Sequence, residues 1–383
     1  MSIIGNRLLS SLLIGFVLCS IFSSCGEVEP RSSICEPLLD GNIYDSHRDI
    51  VSQQFDIDSE GNLYYAQINS PSEPWSVSIF RIPEDKLNTT NQTTGFRGDS
   101  LKLIYAGHPT GMAVQNCSDG KYVWIGNYAS KTENGSYWGT QAVCRVRFEE
   151  GRTLRPEDLE YFWFPHAGDI NVALDQENGE VAFSFYYRAD DPLRPSVCKN
   201  RSRMVRVYRL DEVLSSPVEE IDSPDLWKRG GDGAPDPDYE AIPLTIRAHN
   251  LSTLKPVAEI GTHTGGDNPE RINSTAWQGF DIDNGVVWFS EGGGSTGTFL
   301  TGYGYDGSIV FHRTAVSISQ PCPEWDKYAL ASPHEEGGTF ENEGVRVWDG
   351  DLFLGMFTIR KSGDQKVRMS NVFRFPLPET IIE

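Results

Sequence analysis

One unit recurs along the chain: an apolar run, a turn carrying Asn-Gly or Asp-Gly, and a second apolar run. Its first copy is Gln54-Phe55-Asp56-Ile57-Asp58 with Gly61 and Leu63-Tyr64-Tyr65. The second joins Met112-Ala113-Val114-Gln115 through Asp119-Gly120 to Tyr122-Val123-Trp124. The third joins Ile170-Asn171-Val172-Ala173-Leu174 through Asn178-Gly179 to Val181-Ala182-Phe183. The fourth is Gln278-Gly279-Phe280-Asp281-Ile282-Asp283-Asn284-Gly285-Val286-Val287-Trp288, and the fifth runs from Glu343 through Asp349-Gly350 to Leu354. Asn-Gly and Asp-Gly tolerate the positive φ of a two-residue hairpin, so each copy reads as two antiparallel strands.

A second pattern follows the first. Phe80-Arg81-Ile82, Cys144-Arg145-Val146, Tyr208-Arg209-Leu210 and Phe373-Arg374-Phe375 share an apolar-Arg-apolar core, and Arg81, Arg145 and Arg209 recur at a step of 64. No amphipathic helix interrupts the pattern. A sheet unit of this size cannot bury both faces alone, and radial stacking solves the problem. The expected fold is an all-β propeller of five four-stranded blades. A gap of 110 residues from Ile170 to Phe280 leaves a sixth blade as the alternative. The Pro-, Gly- and Asp-rich stretch within 215–242 favours an inserted loop.

The N-terminus has a different character. Arg7 is the only charged side chain of residues 1–24, and Leu8 to Leu18 are almost wholly apolar. Ser23-Ser24 then precede Cys25. This resembles a bacterial lipoprotein signal, with Phe22 where Leu is usual. The expected organisation is a signal over 1–24, a lipidated tether over 25–35 and one propeller domain over 36–383. Cys25 is the lipid attachment site, and the expected location is the outer membrane or cell surface. The other cysteines are Cys19, Cys35, Cys117, Cys144, Cys198 and Cys322. An oxidising compartment permits disulfides, and a Cys117–Cys144 bridge across neighbouring strands is one possibility among several.

Composition narrows the function. Lys+Arg number 33 against 54 Asp+Glu, a formal net charge of -21. Such a surface argues against nucleic acid as a partner and repels polyanions at long range. Aromatic residues at 11% argue against a disordered chain.

Polar residues gather where each unit begins, at the mouth of the expected central channel. His108 and His166 lie four residues before Met112 and Ile170, Gln54 and Gln278 open their units, and Glu341 and Glu343 precede Val345 with His334 upstream. Convergent polar groups in a concave site are candidates for binding or for acid–base chemistry. His108, His166 and Glu343 are the catalytic candidates. Gln54, Gln278, His334 and Glu341 are the ligand-binding candidates, with Tyr128 and Trp138, which flank a Gly- and Asn-rich segment, as sugar-stacking faces. The histidines show no metal-ligand spacing, and Asp56 to Gly61 resembles a calcium loop but has Gln67 where the bidentate Glu belongs. No metal or other cofactor is expected.

Together, Gly107-His108, Tyr122-Val123-Trp124-Ile125-Gly126, Gln141 to Val146, His166, Gln278 to Asp283, and His334-Glu335 with Glu341 to Val345 resemble the helveticin J-like family. That family takes in class III bacteriocins, proteins named teichoic acid biosynthesis protein C and a propeller domain of phage receptor-binding proteins. The resemblance spans most of residues 50–375. It implies a five-bladed propeller acting at cell envelopes, with glycan or glycopolymer recognition as the theme. The lipoprotein signal departs from a diffusible bacteriocin. The expected function is a surface lipoprotein that binds an extracellular polysaccharide at the channel rim. The alternatives are a glycan-active hydrolase, lyase or phosphodiesterase on that rim, and a scaffold in an envelope complex.

Overall fold

The structure is a computed structural model that describes residues 52–69, 76–87, 99–104, 106, 109, 111–131, 137–165, 167–187, 203–223, 244–261, 277–292, 298–316, 339–362 and 365–377. The expected signal, lipidation site and tether, together with His108, His166 and His334, lie outside the described residues.

The hairpins form where the turn residues dictate. Asn284 and Gly285 have φ of 48° and 77°, and Asp349 and Gly350 have φ of 51° and 72°. Both pairs occupy the left-handed region that a tight hairpin needs.

The first blade contains β1 (Ser52–Ile57), β2 (Leu63–Ile68), β3 (Val77–Ile82) and β4 (Asp99–Leu103). The second contains β5 (Met112–Cys117), β6 (Gly120–Lys131), β7 (Tyr137–Arg147) and, after the short β8 (Thr153–Leu154), β9 (Glu160–Trp163). The third contains β10 (Ala167–Asp175), β11 (Glu180–Tyr187) and β12 (Met204–Arg209). There follow the one-turn helix α1 (Leu210–Leu214), then β13 (Val218–Ser223), β14 (Leu244–Asn250) and β15 (Ala258–Gly261). The fourth contains β16 (Trp277–Asp283), β17 (Val286–Gly292), β18 (Thr298–Gly304) and β19 (Ile309–Val316), and the fifth β20 (Thr339–Trp348), β21 (Asp351–Ser362) and β22 (Gln365–Pro376).

Five sheets stand in a ring, the arrangement of a β-propeller. The innermost strands β1, β5, β10, β16 and β20 are neighbours in that order, and β20 closes on β1. Among the described residues, the long gap holds no sixth blade. It holds most of the third blade and an inserted hairpin, β13–β14, which leaves that blade between β12 and β15. β14 pairs in parallel with β9 on the outer edge of the second blade, and β8 pairs in parallel with β4 of the first. Part of the expected excursion loop is therefore strand.

The core is five wedges, one per blade boundary. Successive strand residues point to opposite faces, and here both faces are covered. Tyr64 packs against the second blade and Tyr65 against the fifth. Trp288 faces the fifth blade and Phe289 the third. This two-sided burial explains why the second strands read as unbroken apolar runs.

The recurrent arginines brace the outer strands. Arg81 pairs with Asp99 and Arg145 with Glu160, each across from the third strand to the fourth. The third-blade equivalent is Arg206, opposite Phe183 and Glu259, rather than Arg209. The structural steps are thus 64 and then 61. In the fourth blade Gly302 takes this place, where a Cβ would press on Trp288 and Phe311.

Cys117 and Cys144 are both free, so the bridge considered between them is not formed. β6 lies between their strands: Cys117 is opposite Gly120, and Cys144 is opposite Ile125. Burial pushes the Cys144 thiol up to about 12.

Candidate functional site

Four of the five innermost strands carry a β-bulge at the same level. In β1 the register slips between Ser52 and Gln54, and in β10 between Gly168 and Asn171. In β16 it slips between Trp277 and Gly279, and in β20 between Asn342 and Val345. A bulge re-aims side chains and recurs next to functional sites. Here it marks one mouth of the channel, the rim at which the innermost strands begin.

Close approach of backbones sets the rim's width. A Cβ on Gly279 would collide with Ser290 and with the backbone of Gly344 and Val345 in the next blade. Gly344 has φ of +137°, and a Cβ there would meet Phe55 and Gln54 of the first blade. Glycine is needed at both positions.

The expected rim residues that are described come together. Gln54 is 4% exposed, and its Nε2 donates to the main-chain carbonyl of Gln278 at 2.9 Å. Gln278 Nε2 donates to Glu341 Oε1 at 2.8 Å. Glu341 is exposed. Glu343, in the bulge of β20, is 8% exposed. Burial, and then the neighbouring Glu341 carboxylate, raise its carboxyl well above the usual carboxylate range. These four side chains come from the first, fourth and fifth blades. Tyr128 and Trp138 lie on β6 and β7 toward the rim end of their hairpin, beyond the described side chains.

Sequence reasoning missed a buried polar layer beneath this rim. Asn342 accepts from Ser290 and donates through Nδ2 to the Gly355 carbonyl at 3.2 Å. Asn171 Nδ2 contacts Ser184 Oγ at 3.3 Å, and Thr140 Oγ1 donates to the Ile170 carbonyl at 3.0 Å. Asn342 and Thr140 thus satisfy backbone carbonyls beside the bulges of β20 and β10. In space the layer lies against glycines distant in sequence, Gly111 against Asn171 and Gly279 against Ser290, so no local pattern announces it.

An ion cluster crosses the channel below that layer. Arg346 leaves β20 and meets Asp281 of the fourth blade through Nη1 at 3.0 Å. Its Nε lies 3.0 Å from Asp56 Oδ1 of the first blade. Nη1 also donates to the Leu174 carbonyl of the third blade at 3.0 Å. Asp56 Oδ2 accepts from Val114 N at 2.6 Å, and Asp281 Oδ2 from Val347 N at 2.6 Å. Burial pushes the Asp281 carboxyl up to about 7 against the pull of Arg346, and raises Asp56 likewise. Arg346 stays charged, because Asp281 and Asp56 outweigh its burial. Four blades are tied by one guanidinium.

Beyond the cluster the opposite mouth opens as a bowl of about 480 Å³ with Arg346 in its wall. Its acids serve the hairpin turns. Asp175 Oδ1 accepts from Asn178 N at 3.0 Å and its Oδ2 from Asn284 N at 2.9 Å. Asp58, in the calcium-like stretch, caps its own turn by accepting from Glu60 N at 2.9 Å and Asn62 N at 3.0 Å.

No family model matches the chain. A relative from Bacillus subtilis (strain 168), described as a putative major teichoic acid biosynthesis protein C, is 24% identical over 182 residues. That match takes in 46% of this chain and only 37% of the relative's length. Among solved structures, the tail fiber of Staphylococcus aureus phage P68 superposes with a TM-score of 0.51 at 14% identity. It covers 92% of this chain and 53% of the fiber, a likeness of fold. A GH43_1 enzyme from Xanthomonas citri has a TM-score of 0.40 at 11% identity, over 88% of this chain and 90% of the enzyme.

Proposed function

We propose that this protein is a lipid-anchored envelope protein whose propeller rim binds an extracellular glycan. The observation that carries the reading is the bulged rim itself. Four bulges at one level, with Gln54, Gln278, Glu341 and Glu343 around the mouth, present amides and carboxyls where a polyhydroxylated ligand can be hydrogen-bonded. Amide and carboxyl groups suit sugar hydroxyls because both donate to and accept from them when one carboxyl is protonated. His108 stands four residues before β5 and His166 directly before β10, and with Tyr128 and Trp138 they complete the proposed surface. The Bacillus relative's name refers to teichoic acid biosynthesis, which supports a role at the envelope without naming this chain's ligand.

The anchor belongs to the same proposal. Lipid at Cys25 would hold the rim close to its polymer, with residues 25–35 as the tether. Metabolic labelling with an alkyne fatty acid tests it: label on the full chain and none on Cys25→Ala is expected, and equal label on both counts against the anchor.

Retention of the full chain on immobilised neutral, uronic and phosphate-bearing polysaccharides tests the ligand class. Saturable retention on at least one, weakened in Gln278→Ala, is expected. Retention on none counts against a glycan site.

A further inference from the structure

Among the described residues, the rim carboxyl of Glu343 has no structural partner. Glu343 makes no hydrogen bond and no ion pair with a described residue, although it is only 8% exposed. The other buried acids of the channel do structural work: Asp56 and Asp281 hold Arg346 and strand amides. A buried carboxyl without a partner is costly, and such groups cluster at functional sites.

Its neighbour is its opposite. Glu341 is exposed, and its Oε1 is positioned by Gln278 Nε2 at 2.8 Å. The intervening Asn342 turns inward to Ser290 and Gly355, and the Glu341 carboxylate lies beside Glu343 at the bulged end of β20. Among the described residues no cation acts on Glu343; burial and Glu341 both favour its protonated form.

We propose that Glu343 and Glu341 make the rim a hydrolytic site for a neutral glycan, with Glu343 as general acid and Glu341 as general base. This rests on the reading of the rim as a glycan site. Two carboxyls in contrasting environments at one cleft divide the acid and base roles of glycoside hydrolysis. Glu343 gives its proton to the glycosidic oxygen as the bond from the anomeric carbon to that oxygen breaks, and the bond's electron pair goes to the leaving oxygen. Glu341 takes a proton from the water whose oxygen forms the new bond to the anomeric carbon. One water is consumed, and proton exchange with solvent restores both acids. The substrate is neutral because two acids at the mouth and a net charge of -21 oppose phosphate- or uronate-bearing polymers.

The test uses the full chain with linear arabinan, xylan and α-mannan in 18O-water, read by mass spectrometry, with retention on the same glycans in parallel. Expected are products carrying 18O at the new reducing end. Glu343→Gln and Glu341→Gln should each slow their release by about 100-fold or more, a loss well beyond any weakening of retention. A dinitrophenyl glycoside of the cleaved sugar, whose leaving group needs no proton, should restore Glu343→Gln and leave Glu341→Gln slow. Glu341 is exposed, so its variant keeps the fold even if Glu343→Gln does not. A glycan retained without product overturns the hydrolysis and leaves the binding reading intact. Retention of none of the three overturns the neutral-glycan hydrolase and leaves the binding reading to the uronic and phosphate-bearing polysaccharides, and equal product from all proteins overturns the assignment of the two acids.

Discussion

Gln278 and Glu341 join the fourth and fifth blades at the channel mouth, amide nitrogen to carboxylate oxygen at 2.8 Å. The Gln278 carbonyl accepts in turn from Gln54 of the first blade. The contact therefore holds three innermost strands in register at the rim. We expect Gln278→Ala to weaken glycan retention several-fold and to shift the urea midpoint little, because Gln278 is half-buried at a bulge and removes no core packing.

Arg346 is the structural counterpart of this rim contact. Replacing it with Met leaves Asp56 and Asp281 buried without their cation. The expected loss is about 3–5 kcal/mol in urea unfolding, the cost of breaking a buried pair from one side. Combining Arg346→Met with Asp56→Asn and Asp281→Asn should recover a substantial part of it. A loss below about 1 kcal/mol for Arg346→Met would contradict the role assigned to the cluster.

Asp281 gives the protein a pH signature. Its folded carboxyl is pushed up to about 7 from 3.8. A group raised on folding contributes stability that is fully present below its unfolded value and lost as pH rises through the folded one. The urea midpoint should therefore fall between about pH 4 and pH 7, and Asp281→Asn should flatten that fall. A midpoint that rises over the same window in the native protein and is unchanged in Asp281→Asn would oppose the assignment.

Glu343 obeys the same sign, because its carboxyl is also raised. Glu343→Gln removes a charge that the folded state disfavours. The variant should be as stable as the native chain at pH 5 and more stable at pH 8, while losing function. Gain of stability with loss of function is the mark of a residue kept for activity. A variant destabilised at both pH values would instead make Glu343 structural.

Gly279 tests the close approach of the blades. Gly279→Ala places a methyl against Ser290 and the Gly344–Val345 backbone, and the strand must move to accommodate it. We expect about 1–3 kcal/mol of destabilisation, read by thermal or urea unfolding. Gly285→Ala differs in mechanism, since no atom crowds that site and only its φ of +77° resists the change.

The propeller was readable because its turns are. Asn284-Gly285 and Asp349-Gly350 announce hairpins, and the apolar runs beside them announce two-sided burial. The rim was readable in part, because Gln54, Gln278, Glu341 and Glu343 stand just ahead of such runs. Other features were not. Arg346 within Val345-Arg346-Val347 reads as an ordinary outward position, yet an innermost strand turns that position to the axis. The step of 64 selected Arg209, whereas pairing with Glu259 selects Arg206 three residues earlier, because the sequence motif is only three residues long. The parallel pairing of β14 with β9 joins segments about 80 residues apart and leaves no local pattern. Cys117 and Cys144 lie on first and third strands, and sequence alone does not reveal the strand between them.

On the proposed reading the bulged rim, not the turn-side bowl, is the ligand surface. Hydrogen–deuterium exchange of the full chain, with and without a glycan it retains, tests this most directly. The expected result is added protection at residues 52–54, 277–280 and 341–345, with residues 175–178, 283–285 and 349–350 unchanged. Protection confined to the turn-side residues would contradict the claim and move the site to the opposite mouth.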